Sequence, residues 1–271
     1  MKTSDLKIAI LGCGNIGSAI AIGLVKSGKF SASNIFCTKR KKDSLIKYSD
    51  QGFKTTTDNK EAVRNSDIII VAVTPQQLNE LAAEMKSEID SEKHKIFSVV
   101  SGASIKQIKN LFGNDIPVVR VMPNTAIAIQ ESMTCISGNE KESIELAVSI
   151  FDNVGKSVVI SEELMVPATA LCACGIAFFM RAIRAASQGG IEIGFHAEDA
   201  LFMAAQTAKG AAAILLQQGS HPEREVDKVT TPQGCTISGL NQMEHSGFSS
   251  SLIKGIVTSA EKAATLYSNK D

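Results

Sequence analysis

KIAILGCGNIG, at residues 7–17, joins an apolar run to three glycines at a fixed spacing. The run at 7–11 is rich in Ile and Leu, which is typical of a strand covered on both faces of a sheet. The apolar residues that follow recur at helical spacing: Ile16, Ala19, Ile20, Gly23 and Leu24. A strand, a glycine turn and a helix in this order predict the first unit of a doubly wound α/β sheet.

The glycine turn has the spacing of a dinucleotide-binding site. Gly12 would permit the tight turn, Gly14 would let a pyrophosphate approach the backbone, and Gly17 would let helix and strand pack closely. The free N–H groups at the start of the helix would face the phosphates. We therefore assign the whole turn to cofactor binding: Gly12, Cys13, Gly14, Asn15, Ile16 and Gly17. The competing interpretation is a glycine turn without a ligand, because this motif alone has low specificity.

Strand-like runs alternate with helical patterns as far as residue 160, and only helical patterns follow. The predicted strands are Lys7–Leu11, Asn34–Thr38, Asp67–Val73, Lys95–Val100, Pro117–Met122, Met133–Ile136 and Ser157–Ile160. The predicted C-terminal helices are 162–193, 197–218, 236–246 and 249–268. The fold class is therefore α/β, with an N-terminal Rossmann-type doubly wound sheet in residues 1–161, followed by an all-α C-terminal domain in residues 162–271.

The end of the second predicted strand bears on the choice of cofactor. An NAD-binding chain usually places Asp or Glu there to hold the ribose 2′-hydroxyl. This chain has Thr38, Lys39 and Arg40, and no acidic residue lies between Thr38 and Asp43. Lys, Arg and Thr favour a 2′-phosphate through charge-assisted hydrogen bonds, so we expect NADPH, with NADH as the weaker cofactor. A solvated basic loop is the alternative interpretation.

Composition argues against nucleic acid and membrane partners. Lys plus Arg and Asp plus Glu both total 28 in 271 residues, so no net field attracts a polyanion or an anionic membrane. The uncharged stretch Leu164–Met180 is at the short limit for a membrane span and contains Pro167, so we expect a helix buried in a core or a subunit interface. Charges precede the first apolar run, without a signal-peptide pattern, and we expect a cytoplasmic protein.

The six cysteines indicate neither a disulfide scaffold nor a metal site. None forms a C-x-x-C pair, and Cys172 and Cys174 would point apart on a helix. We expect small, buried, reduced thiols and no bound metal.

Three later segments resemble the pyrroline-5-carboxylate reductase family. They are Asn59–Glu61 followed by Ser66–Gln76, then Val119–Thr125, and finally Val229–Leu240, in which a Pro-Gly turn leads into a helix. The likeness runs from Lys7 to about Tyr267. The chain departs from the family at Thr74, Ala126 and Gln233, where Lys, Pro and Gly are usual. Cys172–Phe178 also replaces a Ser-Gly-Ser-Gly-Pro-Ala-Tyr segment, of which Gly175 and Ala177 are kept.

The resemblance implies NADPH-dependent reduction of 1-pyrroline-5-carboxylate to L-proline, with a hydride passing from nicotinamide to the cyclic imine. It implies that Thr236 is the catalytic residue at the ring nitrogen. It adds a second set of cofactor-binding residues: Asn59, Ala72, Val73, Thr74, Pro75, Ser101 and Gly102. The implied substrate-binding residues are Thr231, Gly234, Cys235 and Glu162. Backbone N–H groups at 234–236 would form an anion nest for the carboxylate, while an ordinary helix N-cap is the other interpretation of Thr236.

The resemblance also implies a homodimer built on the C-terminal domain, which could assemble into larger rings, and a small-molecule substrate. One alternative is a β-hydroxyacid-type NAD(P) dehydrogenase, whose family uses a Lys on a helix of the second domain. The predicted helix 168–186 carries Arg181 and Arg184 but no Lys. The other alternative is a non-catalytic nucleotide-sensing protein, and the intact 229–240 segment argues against it.

Overall fold

The computed structural model describes residues 5–267, which form two compact units. Unit 1 comprises the chain up to Cys174 and again from Ser259, whereas unit 2 is Gly175–Thr258. The chain therefore returns to unit 1 after it has built unit 2. The functional division at residue 161 that the sequence suggests stays a prediction.

Unit 1 contains an eight-stranded sheet. Its strands are β1 Ile8–Leu11, β2 Ile35–Thr38, β3 Lys54–Thr56, β4 Ile68–Val71, β5 Lys95–Ser98, β6 Val118–Met122, β7 Ser132–Gly138 and β8 Gly155–Val159. The order across the sheet is β3-β2-β1-β4-β5-β6-β7-β8. The strands from β3 to β6 run parallel, β7 is antiparallel to β6, and β8 is parallel to β7. The first six strands have the order of a Rossmann fold, as predicted.

Helices cover both faces of this sheet. They are α1 Asn15–Lys26, α2 Ile46–Ser49, α3 Asn59–Arg64, α4 Leu78–Met85, α5 Ile105–Phe112 and α6 Lys141–Phe151. Successive strand residues face opposite sides. Ile8 and Ile10 belong to the apolar cluster that includes α1 and α6, whereas Ala9 and Leu11 belong to the cluster that includes α3, α4 and α5. Strands β1 and β4 are apolar at every position because both of their faces are covered.

The remaining helices follow the sheet. They are α7 Met165–Ala168, a π-helical segment Thr169–Cys174, α8 Gly175–Glu192, α9 Ala197–Gln218, α10 Pro222–Lys228, α11 Cys235–His245 and α12 Phe248–Ala264. In unit 2, all of which is described, only Gly175, Ser187 and Ala200 are buried. Its exposed large apolar residues include Phe179, Met180, Ile193, Phe202, Leu216 and Ile253. Unit 2 therefore has almost no core of its own.

The helical stretch Glu162–Glu192 is long and apolar enough to cross a membrane, by length and composition alone. Only 28% of its most apolar window is buried, and Leu171, Phe179 and Met180 are exposed. The expectation that this stretch is buried in a core is therefore wrong for the single chain. Its burial in a subunit interface stays a prediction.

Candidate functional site

A cavity of about 460 Å³ opens where β1, β2 and β4 end in unit 1. The strand order reverses between β1 and β4. In open α/β sheets, the crevice at such a switch point is where ligands bind. The predicted cofactor residues that line the cavity are Gly12, Cys13, Gly14, Thr38, Lys39, Arg40, Asn59, Ala72, Val73 and Thr74.

The three glycines of the turn differ in what surrounds them. Gly12 has φ +96°, and an added Cβ would lie 2.9 Å from the carbonyl oxygen of Ala72. A Cβ on Gly17 would lie 2.4 Å from the carbonyl oxygen of Gly12, whereas one on Gly14 would meet no atom within 4 Å. Two of the glycines are thus required by close packing, and the third borders open space. This geometry leaves room for a pyrophosphate against the backbone.

The N-terminus of α1 is available to an anion. Its N-cap is Gly14, so no side chain caps the first N–H groups of the helix. The first turn contains no acidic residue. The positive end of the helix dipole is therefore not compensated by a nearby carboxylate of the helix. Tyr48, which sequence analysis missed, supports the turn: its buried hydroxyl donates to the carbonyl oxygen of Cys13 at 3.3 Å and is hydrogen-bonded to Ser18.

One end of the cavity is basic. Lys39, Arg40 and Lys41 line it together with Ser44. Thr38 is only 2% exposed, and its hydroxyl oxygen accepts a hydrogen bond from the Gly12 N–H at 3.2 Å. Thr38 therefore braces the glycine turn, and the neighbouring Lys and Arg side chains supply the positive charge. Lys41 and Ser44 were missed, although Lys41 belongs to the basic run that the sequence displays.

The other wall of the cavity is formed by α4 and the turn before it. Glu80, Leu81 and Glu84 line it, and the side-chain amide of Asn59 donates to the Glu84 carboxylate at 3.2 Å. This wall was not predicted from the sequence, because glutamates are also common on the solvated face of a helix. The cavity thus has positive charge at one end and carboxylates at the other.

Several predicted cofactor residues do not line the cavity. They are Asn15, Ile16, Gly17, Pro75, Ser101 and Gly102. A Cβ on Gly102 would lie 3.0 Å from the backbone nitrogen of Tyr267, whose hydroxyl donates to Asn79 at 2.7 Å. The glycine at 102 is therefore required by the returning C-terminal segment of unit 1. A cofactor role for these residues stays a prediction.

Glu162, predicted to bind substrate, already has two partners in unit 1. Its Oε1 accepts from the Ile105 N–H at 2.6 Å and from Arg120 Nη1 at 3.4 Å. The Arg120 side chain is buried. Burial lowers the pKa of its guanidinium, and the negative charge of Glu162 raises that pKa by a smaller amount. A buried guanidinium is costly without a counter-ion, so Glu162 holds β6 and the N-terminus of α5 together.

The 229–240 segment forms a turn and a helix start in unit 2. The Gly234 N–H donates to the carbonyl oxygen of Thr231 at 2.9 Å, and a Cβ on Gly234 would lie 2.5 Å from Thr231 Oγ1. Gly234 is the N-cap of α11 and makes no side-chain cap. Thr236 is the second residue of that helix, so the interpretation of Thr236 as an N-cap is wrong. Thr236 is half-buried, and Cys235, the residue before it, is exposed.

The start of α11 has the groups that bind a carboxylate. Its first N–H groups lack a side-chain cap, and a helix N-terminus attracts anions. The Thr236 hydroxyl can donate one further hydrogen bond. The predicted substrate residues are thus divided, with Glu162 in unit 1 and the 231–236 turn in unit 2.

The cysteines differ from the expected pattern. All six are free thiols, but only Cys13, Cys37 and Cys135 are buried. Cys172 and Cys174 are half-buried, and Cys235 is exposed. The expectation of uniformly buried thiols is therefore wrong.

Two family models match the chain. The model described as pyrroline-5-carboxylate reductase dimerisation matches residues 162–266, and the model described as NADP oxidoreductase coenzyme F420-dependent matches residues 7–102. The first therefore lies on the helical part of the chain, and the second on the start of the sheet.

Three known proteins are similar over nearly the whole chain. Pyrroline-5-carboxylate reductase 1 of Dictyostelium discoideum is 55% identical over 100% of this chain, which spans only 51% of that protein. Pyrroline-5-carboxylate reductase 2 of the same organism is 47% identical over 97% of this chain and 95% of that protein. The solved structure of Plasmodium falciparum pyrroline carboxylate reductase with NADP bound has a TM-score of 0.89, with 24% identity over 98% of this chain and 99% of that chain.

A Rossmann sheet with a glycine turn at its switch point, followed by an all-helical region, defines an oxidoreductase of the dinucleotide-binding class. The identities to the two Dictyostelium proteins are more specific than the fold. The chain belongs to the pyrroline-5-carboxylate reductase family.

Proposed function

We propose that this chain reduces 1-pyrroline-5-carboxylate to L-proline with NADPH. The observation that carries the proposal is the cavity on the glycine turn, with its basic end, in a chain that belongs to this family. The chain spans about half the length of one relative, so the proposed activity concerns this chain and not the rest of that protein.

The residues of the cavity fit NADPH. Gly14 borders the space in which a pyrophosphate would lie, and the N-terminus of α1 would stabilise its charge. Lys39 and Arg40 would hold the 2′-phosphate, with Lys41 and Ser44 beside them. When bound, NADPH supplies the hydride for the imine carbon. The protein then has to bind, orient and exclude water, which requires no strong general base.

The substrate would bind at the turn before α11. The N–H groups of Cys235 and Thr236, together with Gly234 and Thr231, would hold the substrate carboxylate. The Thr236 hydroxyl would donate a hydrogen bond to the ring nitrogen. The nitrogen gains one proton as the imine carbon gains a hydride, so the C=N double bond becomes a single bond. Glu162 would act from its place beside Arg120 by keeping the end of β6 in position.

The dimerisation match to residues 162–266 supports oligomerisation through the C-terminal region. We propose a homodimer, with assembly into larger rings as a further step. The exposed apolar surface of unit 2 supports this proposal, because a helical unit with three buried residues has too small a core to be stable alone. We also propose that the enzyme is cytoplasmic. Its partner would be a small molecule rather than nucleic acid or a membrane, since the positive and negative charges of the chain balance.

Turnover with 1-pyrroline-5-carboxylate tests the proposal directly. The purified chain should oxidise NADPH only when the substrate is present, form L-proline in equal amount, and work more slowly with NADH. A β-hydroxyacid assayed with NADP⁺ serves as the comparison for the rival dehydrogenase class. A folded, NADPH-binding chain that forms no proline would rule out the proposed reaction.

A further inference from the structure

Two cysteines of unit 1 lie in contact. Cys135 Sγ donates to Cys172 Sγ at 3.7 Å. Cys135 lies on β7 and is 4% exposed, whereas Cys172 lies in the π-helical segment and is half-buried. The pair adjoins a small apolar cluster formed by Met122, Met165 and Ala168. Among the described residues, no other pair of contacting cysteines has partial solvent access in the single chain.

The two cysteines lie in different kinds of backbone. Cys135 is held in the sheet, where it pairs with Met122 on β6 and Val158 on β8. Cys172 lies in a π-helical irregularity between two α-helices, and such insertions are local departures from regular helix geometry. A disulfide needs a sulfur–sulfur distance of about 2.05 Å. Rotation of the two side chains with a small shift of the π-helical segment would close the gap.

The two thiols differ in reactivity. The hydrogen bond from Cys135 lowers the pKa of the Cys172 thiol to about 7, against a smaller opposing effect of burial. The same hydrogen bond and burial raise the pKa of Cys135. A thiolate is the nucleophile in thiol oxidation, so Cys172 would react first and Cys135 second. Cys13 and Cys37 are by contrast fully buried.

We propose that Cys135 and Cys172 form an oxidisable thiol pair that a hydroperoxide converts into a reversible disulfide. The Cys172 thiolate attacks one oxygen of the hydroperoxide and becomes a sulfenic acid, while the O–O bond breaks and the leaving oxygen takes up a proton. The Cys135 sulfur then attacks the sulfenic sulfur and displaces hydroxide. The hydroxide takes the Cys135 proton and leaves as water. Two thiols are oxidised, and one hydroperoxide is reduced to an alcohol, or to water when it is hydrogen peroxide.

The disulfide would act on the end of β6. The carbonyl oxygen of Cys172 accepts from the Asn124 side-chain amide at 3.2 Å. Asn124 also caps the following turn, accepting from the Ala126 N–H at 3.0 Å, and its own N–H donates to Ser132 at 3.2 Å. A shift of Cys172 toward Cys135 would therefore strain the bond to Asn124 at the carboxyl end of the sheet.

Peptide mapping after oxidation tests the pair and does not depend on the proposed reductase activity. The full chain would be treated with a stoichiometric amount of hydrogen peroxide, blocked with iodoacetamide, digested with trypsin without reductant, and analysed by tandem mass spectrometry. We expect the peptide containing Cys135 linked to the peptide 157–181, with the bond at Cys172, and release of both peptides by dithiothreitol. Retention of both thiols, or a link through Cys174 instead, would overturn the proposal.

Matched variants separate the pair from its neighbour on the same peptide. Cys174→Ser should keep the cross-link, whereas Cys172→Ser should lose it and leave Cys135 as a free thiol that iodoacetamide can alkylate. Each variant's melting temperature would be measured before oxidation. If Cys172→Ser does not fold, the comparison of the wild-type chain with Cys174→Ser still decides the site, because a Cys135 link that vanishes in Cys174→Ser contradicts the assignment. Irreversible sulfinic acid at Cys172 without any cross-link would contradict it as well.

Discussion

The Cβ position of Gly17 lies 2.4 Å from the carbonyl oxygen of Gly12, so α1 and the turn before it are in direct backbone contact. Alanine in a helix is ordinarily favoured over glycine by about 1 kcal/mol. Here the added methyl group would have to displace a peptide group rather than a flexible side chain. The preference for glycine at position 17 is thus steric, whereas Gly14 borders open space.

Gly17→Ala should therefore affect mainly the stability of the protein, whereas Gly14→Ala should affect mainly NADPH binding. Gly17→Ala should lower the free energy of unfolding by about 1–3 kcal/mol, the usual cost of overpacking. Gly14→Ala should change stability by less than about 0.5 kcal/mol but weaken NADPH binding at least about tenfold, since its methyl group would occupy the phosphate position. Thermal melts and fluorescence titration with NADPH measure both quantities. Normal NADPH affinity in Gly14→Ala would place the phosphates elsewhere.

Arg40→Ala should alter the preference between the two cofactors. Loss of one charge-assisted hydrogen bond costs about 1.5–3 kcal/mol, so the Kd for NADPH should rise roughly 10- to 100-fold, while the Kd for NADH should change less than about twofold. Lys42→Ala removes the same charge from a side chain outside the cavity and serves as the control. Equal weakening of both cofactors by Arg40→Ala would contradict a role at the 2′-phosphate.

Thr236→Ala should lower turnover without unfolding the protein. Gly234, not Thr236, caps α11, so alanine at this position should leave the melting temperature nearly unchanged. If the hydroxyl acts at the ring nitrogen, kcat should fall about 10- to 1000-fold, and the Kd for NADPH should stay the same. Thr236→Ser keeps the hydroxyl and should retain most activity. A fully active Thr236→Ala would remove this residue from the reaction.

Gln233→Gly should stabilise the protein. Gln233 has φ +60°, a left-handed conformation that costs an L-residue about 1–2 kcal/mol, while glycine loses about 0.5–1 kcal/mol through its greater freedom when unfolded. The expected net gain is therefore roughly 0.5–1 kcal/mol in the free energy of unfolding, measured by denaturant titration at one protein concentration. Gln233→Ala keeps the strain and should give no gain. An equal effect of both substitutions would show that φ is not the cause.

Sedimentation should show a dimer or a larger assembly at micromolar concentration. Phe202 is 71% exposed and Leu216 is 86% exposed in the single chain. Phe202→Asp or Leu216→Asp should weaken assembly, because each would place a charge in the proposed interface. Ile46→Asp, at an exposed isoleucine of unit 1, should leave assembly unchanged. A wild-type monomer would contradict the proposed homodimer.

The sequence predicted the parts of the fold that have strong apolar patterns. Strands β1 and β4 are apolar at every position, and the glycine turn follows β1 directly. Strand β3 was missed because Lys54–Thr56 is short, polar and at the sheet edge. Helix α10 was missed because Pro222–Lys228 has charges throughout and no apolar face. Nothing in the β7 pattern indicates that it runs antiparallel to β6.

The candidate site could be predicted from the sequence only where its residues have a recognisable local pattern. The glycines and the basic run at 38–40 have a spacing that predicts phosphate binding. The wall formed by Glu80 and Glu84 consists of solvated side chains that become site residues only because α4 packs beside the turn. The contact between Cys135 and Cys172 joins residues 37 positions apart, and no local pattern reveals such a pair.

The return of the C-terminal segment to unit 1 has a consequence for dissecting the protein. Tyr267 belongs to the apolar cluster beside α4 and α5 and approaches Gly102 closely. A fragment that stops at residue 161, or even at 174, would lack Tyr267 and therefore its contact with Gly102. To isolate the nucleotide-binding half with this contact intact, one would excise the middle of the chain and rejoin its ends, as for an inserted domain.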